Sequence, residues 1–313
     1  MDNILKSTIR IKEQNPEDVF FEIDHKEKLD LLENNKLNIF CLNIVNNKFS
    51  YKELFNLLKD NLGTYVLSRK EYQKNPERAI SKAIDKLKKV QPNSKDFGAG
   101  GELGELILYI FLEHYLHAPK ILSKVELKTT QNQYVYNADG VHFYHFSKDD
   151  YSYYQLVIGE SKIKNKYNEA IDAAFESIIT SKLKDTNEIN LISSEIFKEV
   201  FSVEEVEQIE DMIIPKATSD FNNNLIKNKA FGIFIGFDLT IDNTIPLSKQ
   251  REKVKEDLCN LAKLITESIN ENIKKHNLLG YSFYIYFLPF NNCLKDKAEI
   301  MSQLLIQNAF REV

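Results

Sequence analysis

One short run constrains this chain more than any other: Tyr154-Gln-Leu-Val-Ile158, followed at once by Gly159-Glu-Ser-Lys162. An apolar run of this length reads as a strand buried on both faces. Alternation along it puts Glu160 and Lys162 on one face and points Ser161 away. A carboxylate and an ammonium at the end of a core strand are costly to desolvate unless something uses them. Upstream, Asp139-Gly140 closes another strand-like stretch, Tyr134-Val-Tyr-Asn-Ala138, and Ser147-Lys-Asp-Asp150 between the two is a turn signal. A hairpin with its tip at Lys148-Asp149 pairs Asp139 with Ile158. Asp139 is then diagonal to Glu160 on the same face, about 7–8 Å away between α-carbons. Two carboxylates and a lysine converge there, the outline of a divalent-metal hydrolysis site.

A third carboxylate comes from a helix. Phe97-Gly-Ala-Gly-Gly101 opens a helix over Glu102 to His117, with Leu103, Leu106, Ile107, Ile110 and Phe111 as its apolar stripe. The glycines allow close approach to another backbone but form no phosphate loop, since no Gly-Lys-Ser or Gly-Lys-Thr follows. Glu102 and Glu105 lie three apart on neighbouring faces, where they either complement the positive helix end or serve the site. His142 falls on the opposite strand face from Asp139 by parity and reads as structural. His114 and His117, at the helix end, read as core or cap.

The remaining elements extend an α/β pattern. Asp18–Ile23 and Leu37–Val45 read as strands, Asn46-Asn47 as a turn, and Ser50 as the cap of a helix stopped by Gly63. Asn75-Pro76 starts a helix over Glu77 to Val90. Ile121 to Lys128 reads as a strand. A helix follows Asn165, acidic helices fill about 186–213, and Ala230–Asp238 is a buried strand. A long helix over Ser248 to Lys275, a strand over Tyr281 to Leu288 stopped by Pro289, and a helix over Asp296 to Arg311 complete the chain. Strands separated by helices require crossovers, hence a mixed sheet covered on both faces. Residues 1–95 read as an N-terminal α/β module and 96–313 as a second domain with a helical insertion at about 185–215.

At 43% hydrophobic residues the chain can bury a core. No apolar run approaches the roughly 20 residues of a membrane span, the N-terminus lacks a signal-peptide form, and three scattered cysteines make no zinc or disulfide pattern. A soluble cytoplasmic protein with no membrane association is expected. The net charge of −5 disfavours nucleic acid at first sight, but charge is unevenly placed. Arg69 to Lys95 holds nine basic residues against three acidic, and Asp185 to Asp211 nine acidic against one basic. The first stretch grips a backbone or is a solvated helix face. The second repels one, docks on a partner, or is likewise solvated. Lys164 and Lys166 either hold phosphates or stay wet.

The order of helix glutamate, Asp139, then Glu160-x-Lys162 resembles the PD-(D/E)xK nucleases, the restriction-endonuclease-like fold, with Ala138 where that motif often has proline. The wider run is similar to the HamA nuclease family of the bacterial Hachiman antiphage system. It comprises Gly101-Glu-Leu-Gly-Glu105-Leu-Ile-Leu-Tyr, Ala138-Asp-Gly-Val-His142, Ile158-Gly-Glu-Ser-Lys162 and Glu169-Ala-Ile-Asp-Ala-Ala. The likeness covers roughly residues 97–180. It implies a DNase that acts on DNA with a HamB-type helicase in phage defence; the alternative is a non-catalytic nuclease-like scaffold. Hard oxygen ligands suit Mg²⁺ or Mn²⁺, with Asp139, Glu160 and the Ser161 carbonyl as ligands. Lys162 would orient the attacking water or meet charge on phosphorus, and Glu105, preferred over Glu102 because Gly101 precedes it by four, would help as a metal residue, through a second ion or a metal-bound water. A free defence nuclease endangers its host, so the helicase is expected to hold it off DNA or load it on signal.

Overall fold

The computed structural model describes residues 5–12, 14–31, 35–90, 101–129, 138–148, 151–182 and 226–306. Its centre is a seven-stranded mixed sheet with helices on both faces. The strands are β1 (Phe21–Glu22), β2 (Asn35–Cys41), β5 (Lys120–Ser123), β6 (Gly140–Lys148), β7 (Tyr151–Ile163), β8 (Ile226–Asp238) and β9 (Ser282–Phe290), in the order β1-β2-β9-β8-β7-β6-β5. The run from β2 through β9 and β8 to β7 is parallel, and both edges are antiparallel. The remaining two strands, β3 (Ile44–Val45) and β4 (Lys48–Phe49), form a small hairpin. Its turn is Asn46-Asn47, as expected, both residues at positive φ.

Parallel neighbours need crossovers, and two long helices supply them. β7 reaches β8 after α7 (Tyr167–Lys182), and β8 reaches β9 through α8 (Leu247–Lys275). The two faces are told apart by parity. Phe111 of α5 (Glu102–His114) stacks on Tyr286 and lies beside Phe234, while Phe175 of α7 stacks on Phe283. Tyr286 and Phe283 differ in parity on β9, so α5 and α7 cover opposite faces.

Several sequence expectations shift for identifiable reasons. The stretch over Asp18–Ile23 begins as a helical turn, α1 (Pro16–Val19), because Asn15 caps it and Pro16 opens it. Helix α2 (Lys52–Val66) is not capped by Ser50 and runs through Gly63. Gly63 is there for packing: a Cβ would lie 3.0 Å from Ala79 Cβ, where α4 (Ala79–Val90) crosses. Between them lie α3 (Arg69–Lys74) and a 3₁₀ turn at Pro76–Arg78. Pro289 does not stop β9; it pairs with Phe237. The pairing of β9 with β2 has already ended at Phe287, so the missing N–H faces no ladder. Ile121–Lys128 is strand only through Ser123 and then becomes α6 (Lys124–Thr129). The last helix, α9, is Cys293–Ile306. The expected strand before Ala138, the acidic helices at 186–213 and the chain beyond 306 lie outside the described residues.

Candidate functional site

The β6–β7 hairpin sets the site. Lys148 pairs with Tyr151, and Val141 rather than Asp139 faces Ile158. The register thus differs by two residues from the expected one. A two-residue slip preserves parity, but the Asp139 side chain bonds Ser161 and Lys124, towards the side that α5 covers, and reaches Glu160 through its charge. Gly140 pairs with Gly159, and the Asp139 N–H donates to the Gly159 carbonyl at 2.9 Å. β6 ends there, while β7 continues for four more residues. The Asp139 side chain meets the β7 backbone just past that pairing. Its Oδ2 accepts from the Ser161 N–H at 2.6 Å and from Ser161 Oγ at 2.7 Å.

Ser161 faces α5, and alternation puts Glu160 and Lys162 on the α7 face. Gly104 of α5 lies against Ser161: a Cβ there would sit 3.0 Å from Ser161 Oγ. Gly101, one turn earlier, is needed for a related reason, since a Cβ would come 2.8 Å from Glu105 Oε1. The small residues of Gly101-Glu-Leu-Gly-Glu105 therefore let α5 deliver a carboxylate to the strand end. Glu105 is buried, Oε2 accepting from Tyr65 O–H at 2.8 Å and Oε1 from Lys124 Nζ at 2.8 Å. Lys124 Nζ also donates to Asp139 Oδ1 at 2.7 Å. Glu160 pairs with Lys162. Asp139 is thus the hub, bound through Lys124 to Glu105 and adjacent in charge to Glu160.

Electrostatics reflect this crowding. Burial, then the charge of Asp139, raises both Glu105 and Glu160 to about 7, against the partial relief given by Lys124 and Lys162. Lys124 is held above its ordinary range: burial opposes its charge, but the Glu105 and Asp139 carboxylates outweigh that. Tyr65 is pushed well above the usual phenol value by burial and by Glu105, so it stays a donor. Among the described residues, no three His, Cys, Asp or Glu side chains are grouped so as to hold a metal ion as they stand.

Other expected residues divide clearly. Glu102 is half-exposed, so Glu105 is the buried helix carboxylate. His142 is buried, its Nδ1 lies 2.8 Å from the Ala118 carbonyl, and burial lowers it to about 4. A carbonyl only accepts, so Nδ1 carries the proton. His114 is half-buried beside Glu17, and His117 lies past the helix end at positive φ. Lys164 and Lys166 are exposed, Lys166 pairing with Glu169 at 3.1 Å. Lys124 and Tyr65 were not among the expected site residues. The Lys124 signal was present in Ser123-Lys-Val-Glu126, a capping box that starts a helix at the lysine. Nothing in the sequence singles out Tyr65.

The HamA family model matches residues 18–304. The chain belongs to the HamA family. Membership extends the likeness read from residues 97–180 to nearly the whole chain and implies a role in Hachiman antiphage defence. No curated protein and no solved structure matches this HamA-family chain. Among the described residues no helix is long and apolar enough to cross a membrane.

Proposed function

We propose that this chain is a divalent-cation-dependent DNA nuclease of the PD-(D/E)xK type, acting with a helicase partner. The observation that carries the reading is the concentration of buried carboxylates around Asp139 where β6 stops short of β7. Two of them, Glu105 and Glu160, are pushed to about 7 by burial and by Asp139. Negative charge gathered in this way calls for a cation.

The donor set fits Mg²⁺ or Mn²⁺. Asp139 and Glu160 would hold the ion. The Ser161 carbonyl is a sound third ligand, because N–H and C=O of one strand residue point the same way. The Ser161 N–H points to Asp139, so its carbonyl leaves β7 on that side, beyond the start of β6. An ion there supplies Lewis-acid polarisation of a phosphoryl oxygen and a more acidic water. Lys162, paired with Glu160 and 28% exposed, reaches solvent and can meet the charge that gathers on phosphorus. Glu105, Lys124 and Tyr65 hold Asp139 in place. A DNA backbone has basic surface nearby: Arg78, Lys82, Lys88 and Lys89 are exposed on or before α4, which packs against α6.

Plasmid incubated with Mg²⁺ and the chain, alone and with the helicase, tests the reading. Cleavage lost in both Glu160→Ala and Lys162→Ala supports catalysis. A second reading, a nuclease-like scaffold that binds without cutting, is favoured by one observation: the site's lysines already pair its carboxylates. Binding of DNA or helicase with no cleavage under any condition would select it.

A further inference from the structure

Lys124 lies outside the motif that organises the site, yet its ammonium stands in the middle of it. It donates to Glu105 Oε1 at 2.8 Å and to Asp139 Oδ1 at 2.7 Å. The surrounding structure fixes it there. As first residue of α6 it follows a reciprocal cap in which Ser123 N–H donates to Glu126 Oε2 at 2.8 Å and Glu126 N–H to Ser123 Oγ at 3.3 Å. Glu126 is itself anchored by Lys120 Nζ at 2.9 Å, an ion pair almost wholly removed from solvent.

A divalent ion bridging Glu105 and Asp139 would need those same two oxygens at about 2.0–2.1 Å. The ammonium already spans them. Glu105 has its other oxygen engaged as well, Oε2 by Tyr65, so both oxygens of that carboxylate are taken. Charge counting agrees. Three carboxylates, Glu105, Asp139 and Glu160, face two ammonium groups, Lys124 and Lys162. One divalent ion leaves a net positive charge matched to an incoming phosphate, whereas two would leave a large excess.

We propose that Lys124 fills the second cation seat of this centre, so that the site takes a single divalent ion, on the Asp139–Glu160 side. Lys124 is then a positioning residue that keeps Glu105 and Asp139 together whether or not that ion is bound. This rests on the nuclease reading above.

The test is ion stoichiometry, read without activity. The full chain is titrated with Mn²⁺, following free Mn²⁺ by electron paramagnetic resonance and heat by calorimetry. The wild type should bind one ion per chain, and Glu160→Gln should lose it. Lys124→Met should bind two, and Lys124→Arg one. Two ions on the wild type, or no second ion on Lys124→Met, overturns the proposal and leaves the nuclease reading standing. Retention of the ion by Glu160→Gln also overturns it, by placing the ion elsewhere. No ion on the wild type overturns the metal-dependent reading itself. If Lys124→Met melts early by circular dichroism, Lys124→Gln serves for the comparison, and the wild-type count remains decisive by itself.

Discussion

Lys120→Met should be among the most destabilising single changes in the chain. Lys120 is 1% exposed, and four acceptors lie within hydrogen-bond reach of its three N–H protons. These are the carbonyls of Thr64 and Leu67 at 2.8 Å, that of Tyr65 at 3.0 Å, and Glu126 Oε2 at 2.9 Å. Burial drives its pKa down, but an ammonium surrounded only by acceptors has no use for the lone pair of the neutral amine. The charged form therefore caps the end of α2, where the helix dipole is negative. Methionine keeps the stem and removes every donor. Breaking a buried ion pair from one side costs about 3–5 kcal/mol, and the lost helix-end interaction adds up to about 2 kcal/mol. A loss of about 3–7 kcal/mol is expected, out of the 5–15 kcal/mol typical of a folded protein. Urea titration followed by circular dichroism measures it, with the slope unchanged. Adding Glu126→Gln should recover about 1–3 kcal/mol, since the stranded carboxylate is then neutral. A loss below about 1 kcal/mol for Lys120→Met, or no recovery in the double variant, would refute the argument.

Three further outcomes follow from the same geometry. Gly104→Ala should cost about 1–3 kcal/mol by thermal melting, because the new methyl meets Ser161 Oγ at 3.0 Å and Ser161 Cβ at 3.2 Å. Glu105 has a folded pKa of about 7, above its unfolded value, so in chelator its contribution to stability is present at low pH and lost as pH rises from about 4.5 to 7; Glu105→Gln should flatten the fall in stability across that window. His142 has the opposite sign: lowered to about 4, it contributes stability above about 6.5 that is lost as pH falls toward 4. His142→Asn, which can still donate to Ala118, should lessen acid destabilisation there by up to about 3 kcal/mol relative to the wild type.

Much of this was legible because strand parity is robust. The Tyr154–Lys162 run gave β7, and the glycines before Glu105 pointed to the helix carboxylate that is buried against Tyr65 and Lys124, while the hairpin register came out two residues away. Turn chemistry was less informative: Ser-Lys-Asp-Asp is compatible with more than one register, and only the ladder, with Lys148 opposite Tyr151, chooses between them. Gly63 and Pro289 were read as stops from local propensity, and tertiary context overrode both, by helix crossing in one case and by the early end of the β2–β9 pairing in the other. Lys124 was hidden because its capping box sat inside an apolar stretch read as strand. Tyr65 was hidden because it comes from α2, some forty residues from Glu105 along the chain, and contact at that distance leaves no mark on either segment alone.

The place of β9 has a consequence for biosynthesis. It inserts between β2 and β8, so β2 waits across roughly 250 intervening residues for its main partner to leave the ribosome. Until then β8 is also an open edge, and the strand carrying Glu160 and Lys162 rests on an unfinished support. A prematurely terminated chain would lack the middle of its sheet. Glu160 and Lys162 would then sit on a strand whose neighbour, β8, has no second partner.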